Sequence, residues 1–196
     1  MNKPKDRIIL ASSSPYRKEL LSRILEGFGT ISPDIDETPF PDEEPIELVA
    51  RLAQQKALAI AVSHPEALVI GSDQVCVLNN QIVGKPGTMD KAIEQLKACS
   101  GQTVTFYTSL CVTTGQDASQ ETTVVATKVH FRQLTDKEIT AYLEKEQPLN
   151  CAGSFKCEGL GIVLFEAIES KDPTALIGLP LIALATRLRE FGVKLI

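Results

Sequence analysis

Charged side chains stand at the boundaries of predicted helices and strands in this sequence, where they can meet a ligand. Four are cations and four are carboxylates: Arg17, Lys56, Lys85 and Lys156, and Asp36, Glu37, Asp73 and Glu158. Cations neutralise phosphate groups, and carboxylate oxygens hold the divalent metal ion that accompanies a polyphosphate. The set therefore predicts chemistry on a small phosphorylated ligand that carries a divalent metal ion.

Arg17 shares the apolar stripe of a helix predicted from about Pro15 to Glu26. In the first turn after a strand, its charge faces either the crevice at the strand end or, by snorkelling, the solvent at the helix end. The helix alone supports both interpretations equally. Ser12 and the two serines after it favour the crevice, because hydroxyls and backbone N–H groups before a helix N-terminus bind phosphate.

Lys56 repeats this pattern on a second helix, predicted from Pro45 to about Ser63. Leu48, Leu52 and Lys56 are spaced by four residues, so the lysine shares a stripe with two leucines. Lysine is rarely buried without a partner. A salt bridge at the end of the stripe and a contact with phosphate both satisfy the pattern.

Asp73 follows Ala67 to Ile70, an apolar run without alternation that predicts a strand covered on both faces. We predict that this strand ends at Gly71-Ser72-Asp73-Gln74, and that another apolar run continues to Leu78. Ligands bind at strand ends in α/β sheets, and an unpaired buried carboxylate is costly. A functional carboxylate and an aspartate that caps a turn are equally supported at this point.

The other charged residues give weaker signals. Gly84-Lys85-Pro86 predicts a rigid turn that presents a lysine, whereas the acidic pair Asp36-Glu37 is more often merely solvated. The stretch from Gly153 to Gly161 carries Lys156 and Glu158 between glycines, which permit close approach to a ligand.

The elements that must position these residues predict an α/β protein. Strands are expected at about 7–11, 28–32, 67–70, 81–83, 103–114, 122–131 and 162–168, and helices at about 15–26, 45–63, 88–99, 135–146 and 179–191. Asn79-Asn80 predicts a hairpin turn before the strand at 81–83, and Thr135-Asp136-Lys137-Glu138 predicts a capping box at the start of the fourth helix. A chain of 196 residues, 43% hydrophobic and 23% charged, suits one domain. We expect three layers, with helices flanking a mixed, elongated sheet.

Several common kinds of site are absent from the sequence. It contains no GxxxxGK[ST] or GxGxxG phosphate loop and only two histidines, which disfavours a histidine-rich metal site or a Ser-His-Asp triad. Five cysteines without a CxxC pair argue against a disulfide framework or structural zinc. A net charge of -5 disfavours binding to long nucleic acids.

The sequence also lacks the apolar segments expected of secreted or membrane proteins. The apolar run at Ile8 to Ala11 is too short for the core of a signal peptide, and no apolar stretch is long enough to span a bilayer. We therefore expect a cytoplasmic protein without a membrane partner.

Short motifs are spread in order over nearly the whole chain. They are Leu10 to Arg17 (LASSSPYR), Asp36-Glu37-Thr38, Lys56-Ala57, Gly71-Ser72-Asp73-Gln74, Gly84-Lys85-Pro86, Ser100-Gly101, Ala152-Gly153-Ser154, Glu158-Gly159 and Gly178-Leu179-Pro180-Leu181. This series resembles the motifs of the Maf family of nucleotide pyrophosphatases. No single motif is decisive, but the ordered series is highly specific.

The resemblance implies one Maf-like domain over residues 1–196, which could form two lobes with the active-site cleft between them. It implies a fold similar to that of inosine triphosphate pyrophosphatases, cleavage between the α- and β-phosphates of a nucleotide, a divalent cation (Mg²⁺ or Mn²⁺) and a homodimer.

Roles for individual residues also follow from the resemblance. Asp73 would be the base that activates water, and Glu37 or Asp73 would hold the metal. Phosphates would be bound by Ser12, Arg17, Lys56 and Lys85, and Lys156 is a further candidate for this role.

Three positions resemble the branch of the family that acts on 7-methyl-GTP. They are Tyr16, Gln74 and Glu158, where the dTTP/UTP branch usually has Arg, Thr and Gln. N7-methylated guanine is cationic, so Tyr16 can stack on it with roughly 0.5–2 kcal/mol of cation–π attraction. Glu158 can accept two hydrogen bonds from the Watson–Crick edge of guanine but should repel the carbonyls of uracil and thymine.

The sequence analysis thus predicts a 7-methyl-GTP pyrophosphatase with Asp73 as general base. Two alternatives stay open. One is a pyrophosphatase for dTTP, UTP or another modified nucleotide. The other is a nucleotide-binding regulator of cell division without catalysis, which the intact set of charged motif residues disfavours.

Overall fold

The computed structural model describes residues 7–115 and 121–196. In chain order the elements are β1 (Ile8–Ala11), α1 (Pro15–Ser22), β2 (Gly29–Ile31), α2 (Pro45–Ala61), β3 (Leu68–Leu78), β4 (Gln81–Val83), α3 (Met89–Cys99), β5 (Thr103–Thr114), β6 (Thr122–Phe131), α4 (Asp136–Glu146), β7 (Phe165–Ser170) and α5 (Leu181–Glu190). In the described ranges, seven strands form one mixed sheet in the order β2-β1-β3-β5-β6-β7, with β4 paired to β3.

The described chain is organised as two compact units. Unit 1 comprises the described residues within 1–74, 108–125 and 172–196, and unit 2 those within 75–107 and 126–171. The predicted cleft between two lobes stays a prediction.

Unit 1 confirms the predicted three-layer packing. β1 pairs in parallel with both β2 and β3. Ile8 and Leu10 belong to an apolar cluster with residues of α1 and α5, whereas Ile9 and Ala11 belong to a cluster with residues of α2. Because alternate side chains of a strand point to opposite faces, helices cover both faces of this sheet.

The predicted end of the strand at Asp73 is wrong, because β3 continues without interruption to Leu78. Gly71 serves helix packing rather than a turn, since a Cβ atom there would lie 2.2 Å from the Ala53 carbonyl oxygen of α2. The hydroxyl of Ser72 donates to the Ser109 carbonyl at 2.7 Å, so this polar residue is satisfied inside the sheet. The parallel register of β1 with β3 nevertheless ends at Ala11 and Gly71. Asp73 therefore lies two residues beyond the end of that pairing.

Two other predicted boundaries need correction. The first helix ends at Ser22 rather than near Glu26. The strand predicted at 162–168 is β7 at Phe165–Ser170, because Leu160–Leu164 form a 3₁₀ helix instead. Both errors concern element ends, where apolar residues continue although the hydrogen-bonded element does not.

Unit 2 is built around α3 and α4, and the start of α4 matches its predicted capping box. The Thr135 hydroxyl accepts from the backbone N–H of Glu138 at 3.3 Å, and the Glu138 carboxylate accepts from that of Thr135 at 2.8 Å. Bonds from Thr135 and Arg132 hold the pKa of Glu138 at about 2, below its usual 4.5.

We expect Glu138→Gln to lower the free energy of unfolding at neutral pH, although glutamine can still complete a capping box. A carboxylate with a depressed pKa stabilises the fold above its unfolded-state pKa, and this contribution is lost as pH falls toward the folded value. The difference between wild type and variant should therefore shrink from about pH 4.5 toward pH 2. Urea unfolding at a series of pH values measures this, and a constant difference would contradict it.

The five cysteines are thiols and not disulfides. Cys76, Cys99 and Cys111 are buried. Burial raises the pKa of the Cys99 thiol to about 12 and also raises the pKa of Cys76. The thiols of Cys76 and Cys99 therefore stay protonated and pack as small apolar groups. Within the described ranges, none of the helices combines the length and apolar character needed to cross a bilayer.

Candidate active site

Lys56 lies at the centre of the charged residues of unit 1. Its Nζ donates to Asp73 Oδ1 at 2.6 Å and lies 2.7 Å from Glu37 Oε1. The side chains of Lys56 and Asp73 are 7% and 10% exposed, whereas that of Glu37 is 59% exposed. The salt bridge considered for Lys56 is therefore present, and it joins the two carboxylates that are candidate ligands of the metal ion.

The side chain of Ser109 fixes the position of the Asp73 backbone. Its N–H donates to the Ser109 hydroxyl of β5 at 3.2 Å, and that hydroxyl donates in turn to the Val49 carbonyl of α2 at 2.6 Å. Ser109 thus links β3 to the helix that carries Lys56. Since both linked elements are packed in the core, the Lys56–Asp73 pair is held on rigid supports.

Arg17 lies where the first helix begins, as predicted. The Ser14 hydroxyl accepts from the Arg17 N–H at 3.3 Å, and the Ser12 hydroxyl accepts from the Ser14 N–H at 3.1 Å. The Arg17 Nε donates to the Gly178 carbonyl at 2.8 Å. The serines therefore order the start of α1, and Gly178 orients the guanidinium.

Electrostatics connect Arg17 to the carboxylates around Lys56. Burial lowers the pKa of Arg17, whereas the negative charges of Asp73 and Glu37 raise it. An arginine side chain keeps its proton in proteins. Arg17 and Lys56 thus supply two positive charges to the surroundings of Asp73.

Gln74 makes contacts that its sequence motif did not reveal. Its Nε2 donates to the Thr108 hydroxyl at 2.9 Å and to the carbonyls of Ala175 at 2.9 Å and Leu176 at 3.1 Å. The amide nitrogen therefore fixes the short 3₁₀ turn that precedes Gly178. Tyr16, the predicted stacking residue, is partly exposed at the start of α1.

The remaining predicted site residues belong to unit 2. Lys85 is exposed beside the buried Pro86, and the preceding Gly84 carbonyl accepts from Gln95 Nε2 at 3.0 Å. Lys156 is partly buried and pairs with Glu146 at 3.3 Å, whereas Glu158 is exposed. Phosphate binding by the two lysines and base recognition by Glu158 stay predictions.

Comparison with known proteins supplies the family. The profile of the family described as Maf-like protein matches residues 7–191. This chain belongs to the Maf family. Its relatives named "7-methyl-GTP pyrophosphatase" include one from Aliivibrio fischeri, 53% identical over 97% of this chain and 98% of the relative. Another, from Cupriavidus metallidurans, is 55% identical over 94% of this chain and 93% of the relative.

The fold of this Maf-family chain is also found in a solved structure. It resembles a HAM1 protein from Coxiella burnetii with a TM-score of 0.51 and 17% identity, over 94% of this chain and 98% of that one. The sequence motifs predicted a fold similar to that of inosine triphosphate pyrophosphatases. The likeness to the HAM1 structure confirms this predicted fold.

Sequence reasoning missed several polar residues that support this Maf-family site. Ser109 lies fully buried in β5 and Ser72 fully buried in β3. Gly178 has a φ of +124°, and its carbonyl accepts from both Arg17 and Ser72. Ser109 directly precedes the apolar run Leu110-Cys111-Val112, which was a usable signal because buried hydroxyls need partners. The role of the Gly178 carbonyl depends on tertiary contacts and had no sequence signal.

The donor set of the site fits a hard divalent cation. Glu37 and Asp73 both bring a carboxylate oxygen to Lys56 Nζ. Mg²⁺ is typically bound through one or two carboxylates together with water and substrate phosphates. The described residues contain no group of three or more His, Cys, Asp and Glu side chains arranged to hold a metal ion. A metal here would therefore depend on the phosphates of a substrate for further ligands.

Proposed function

We propose that this Maf-family protein hydrolyses 7-methyl-GTP to 7-methyl-GMP and pyrophosphate. The observation that carries the proposal is the buried Asp73 carboxylate, held by Lys56 at 2.6 Å beside the carboxylate of Glu37. A fixed carboxylate beside cations suits proton removal from water near a polyphosphate. The relatives' name and the residues Tyr16, Gln74 and Glu158 support this choice of substrate.

Asp73 is proposed to act as the general base. Lys56 donates to its Oδ1, so we assign Oδ2 to the attacking water. The carboxylate accepts the proton of the water as the oxygen attacks the α-phosphorus, and the bond to the leaving pyrophosphate breaks. A bound Mg²⁺ or Mn²⁺, held by Glu37 and Asp73, would supply charge neutralisation to the phosphate oxygens.

The cations are proposed to bind the phosphate groups. Arg17 and Lys56 lie among the carboxylates of unit 1, and Ser12 offers a hydroxyl before the N-terminus of α1. Positive charges placed where phosphate charge develops lower the barrier to its transfer. Lys85 and Lys156 complete the proposed phosphate contacts. Lysine has three N–H donors, so Lys156 can bind a phosphate while it keeps its two contacts with Glu146.

The nucleobase of the substrate is proposed to be selected by stacking and by hydrogen bonding. Tyr16 would stack on the cationic 7-methylguanine ring. Glu158 would accept hydrogen bonds from the N–H groups of its Watson–Crick edge. Gln74 uses its amide nitrogen to hold the 3₁₀ turn at Ala175–Ile177, so any effect on the base would come through its carbonyl oxygen or through that turn. The homodimer and the cytoplasmic location also stay predictions.

A panel of triphosphates tests the proposed function. We expect kcat/KM for 7-methyl-GTP to exceed that for GTP by about 2- to 30-fold, the range that cation–π attraction supplies. The values for dTTP and UTP should be lower still, because a site built for hydrogen bonds rejects a base that leaves them unpaired. Release of pyrophosphate with Mg²⁺ and with Mn²⁺ measures each value.

Each alternative gives a different outcome in this panel. Preference for UTP or dTTP over 7-methyl-GTP would replace the proposed substrate but keep the reaction. Binding of nucleotides without metal-dependent release of pyrophosphate would favour the regulator. The protein incubated with the same metals but without nucleotide is the control for contaminating pyrophosphate.

A further inference from the structure

A short turn in unit 2, residues 156–160, carries Glu158 and is tied to α4 on both sides of that residue. On one side, the backbone N–H of Lys156 donates to the Tyr142 hydroxyl at 3.1 Å. On the other side, the backbone N–H of Leu160 donates to Glu146 Oε2 at 2.8 Å. Both partners come from the last two turns of α4, so one helix sets the position of this Glu158 turn.

Glu146 makes the larger share of these ties. Besides accepting from Leu160, its carboxylate lies 3.3 Å from Lys156 Nζ. Lys156 Nζ also donates to the Glu146 backbone carbonyl at 3.2 Å, at the negative end of the helix dipole. Because the side chains of Glu146 and Lys156 are only 19% and 22% exposed, water weakens this pair less than a surface ion pair.

Two glycines in and beside the turn, Gly159 and Gly161, leave room for these hydrogen bonds. A Cβ atom on Gly159 would lie 2.8 Å from Glu146 Oε2, and one on Gly161 would lie 2.3 Å from the Lys156 carbonyl oxygen. The Gly159 N–H donates to that same carbonyl at 3.3 Å. The turn is thus packed around the Glu146 carboxylate and has little freedom to move Glu158 while those bonds persist.

We infer that Glu146 is a positioning residue for base selection, acting by holding the turn that presents Glu158. The inference rests on the proposed function, in which Glu158 accepts hydrogen bonds from the methylated guanine. An exposed side chain discriminates between bases only if its backbone is fixed, because ordering a mobile turn on binding costs free energy. Glu146 supplies that order without touching the nucleotide.

Replacing Glu146 by glutamine tests the inference. Glu146→Gln keeps the size and one acceptor but removes the charge that pairs with Lys156. We expect kcat/KM for 7-methyl-GTP to fall on the order of tenfold, as for the loss of a hydrogen bond to a charged group. The value for UTP should change much less, and the loss for 7-methyl-GTP should lie mainly in KM. Glu144→Gln, an exposed position on the same helix, is the charge-matched control.

A double variant shows whether Glu146 acts through Glu158. In the Glu158→Gln background, Glu146→Gln should cause no further loss of the 7-methyl-GTP to UTP ratio. Tyr142→Phe, which removes only the hydroxyl that accepts from Lys156, should lower the ratio in the same direction. This second variant gives an independent result if Glu146→Gln unfolds at the assay temperature.

The outcomes separate this inference from the proposed function. If wild type prefers 7-methyl-GTP and Glu158→Gln removes the preference, the proposed base selection holds. An unchanged ratio in Glu146→Gln and Tyr142→Phe would then overturn the positioning role alone. Equal losses for 7-methyl-GTP and UTP, or losses that multiply with those of Glu158→Gln, would overturn it as well. A wild-type protein without preference for 7-methyl-GTP would overturn both.

Discussion

Replacement of Asp73 by asparagine is expected to lower the rate of pyrophosphate release by a factor on the order of 10²–10⁴, the usual contribution of a general base. Asparagine has the same shape, and its amide oxygen can still accept from Lys56. Glu37 still lies 2.7 Å from Lys56 Nζ, so the lysine keeps a charged partner. The variant should therefore fold, and the loss should appear in kcat rather than in KM.

Asp42→Asn is a suitable control for this substitution. Asp42 is exposed and has a φ of +59°, a conformation that asparagine also adopts readily. It removes the same charge from the same unit, so its activity should match wild type. Full pyrophosphate release by Asp73→Asn, measured with saturating 7-methyl-GTP, would rule out its role as the base. An equal loss in Asp42→Asn would instead attribute the effect to net charge.

Local sequence signals predicted most elements of this fold. The strands at Thr103–Thr114 and Thr122–Phe131 have the predicted bounds, because β-branched and aromatic residues make up most of both strands. The capping box at Thr135 also fixed the start of α4. Asn79-Asn80 was expected to form a hairpin turn, and both residues have positive φ. In each case the determining interactions lie within a few residues of one another.

The continuation of β3 through Asp73 could not be predicted in this way. Gly71, Ser72 and Asp73 together have the composition of a turn. They form a strand because distant groups satisfy them: Ala53 leaves room only for glycine, Ser109 accepts from Ser72, and Lys56 pairs with Asp73. These partners lie far away along the chain, so they depend on the tertiary fold. Such local misfits are typical of functional sites.

For Arg17 and Lys56, the sequence indicated burial but not the partners of the two side chains. An isolated charge on an apolar helical stripe marked both Arg17 and Lys56 correctly as partly or largely buried. The sequence could not show that Lys56 binds Asp73 and Glu37, or that Arg17 binds the Gly178 carbonyl. The family motifs included Gly178 only as one residue of Gly178-Leu179-Pro180-Leu181. Its carbonyl links Ser72 and Arg17 only in the folded chain.

Replacement of Lys56 by methionine is expected to destabilise the fold and to abolish measurable turnover. Methionine fills the volume of the buried side chain but leaves Asp73, whose side chain is 10% exposed, without its cation. Removing one partner of a buried ion pair usually costs roughly 3–5 kcal/mol. We expect the lower end of this range, because the Glu37 side chain is 59% exposed and retains its hydration. Urea unfolding measures the change in free energy.

The effect of Asp73→Asn on the free energy of unfolding should change sign in the Lys56→Met background. In wild type, Asp73→Asn weakens the bond to Lys56 and lowers the free energy of unfolding. In Lys56→Met it removes an uncompensated buried charge and should therefore raise that free energy. Glu37→Gln is the matched control, since an exposed carboxylate gains little from losing its charge in the same background. If Asp73→Asn destabilised Lys56→Met as it destabilises wild type, the two side chains would not be coupled. The buried pair would then contribute little to holding Asp73 for catalysis.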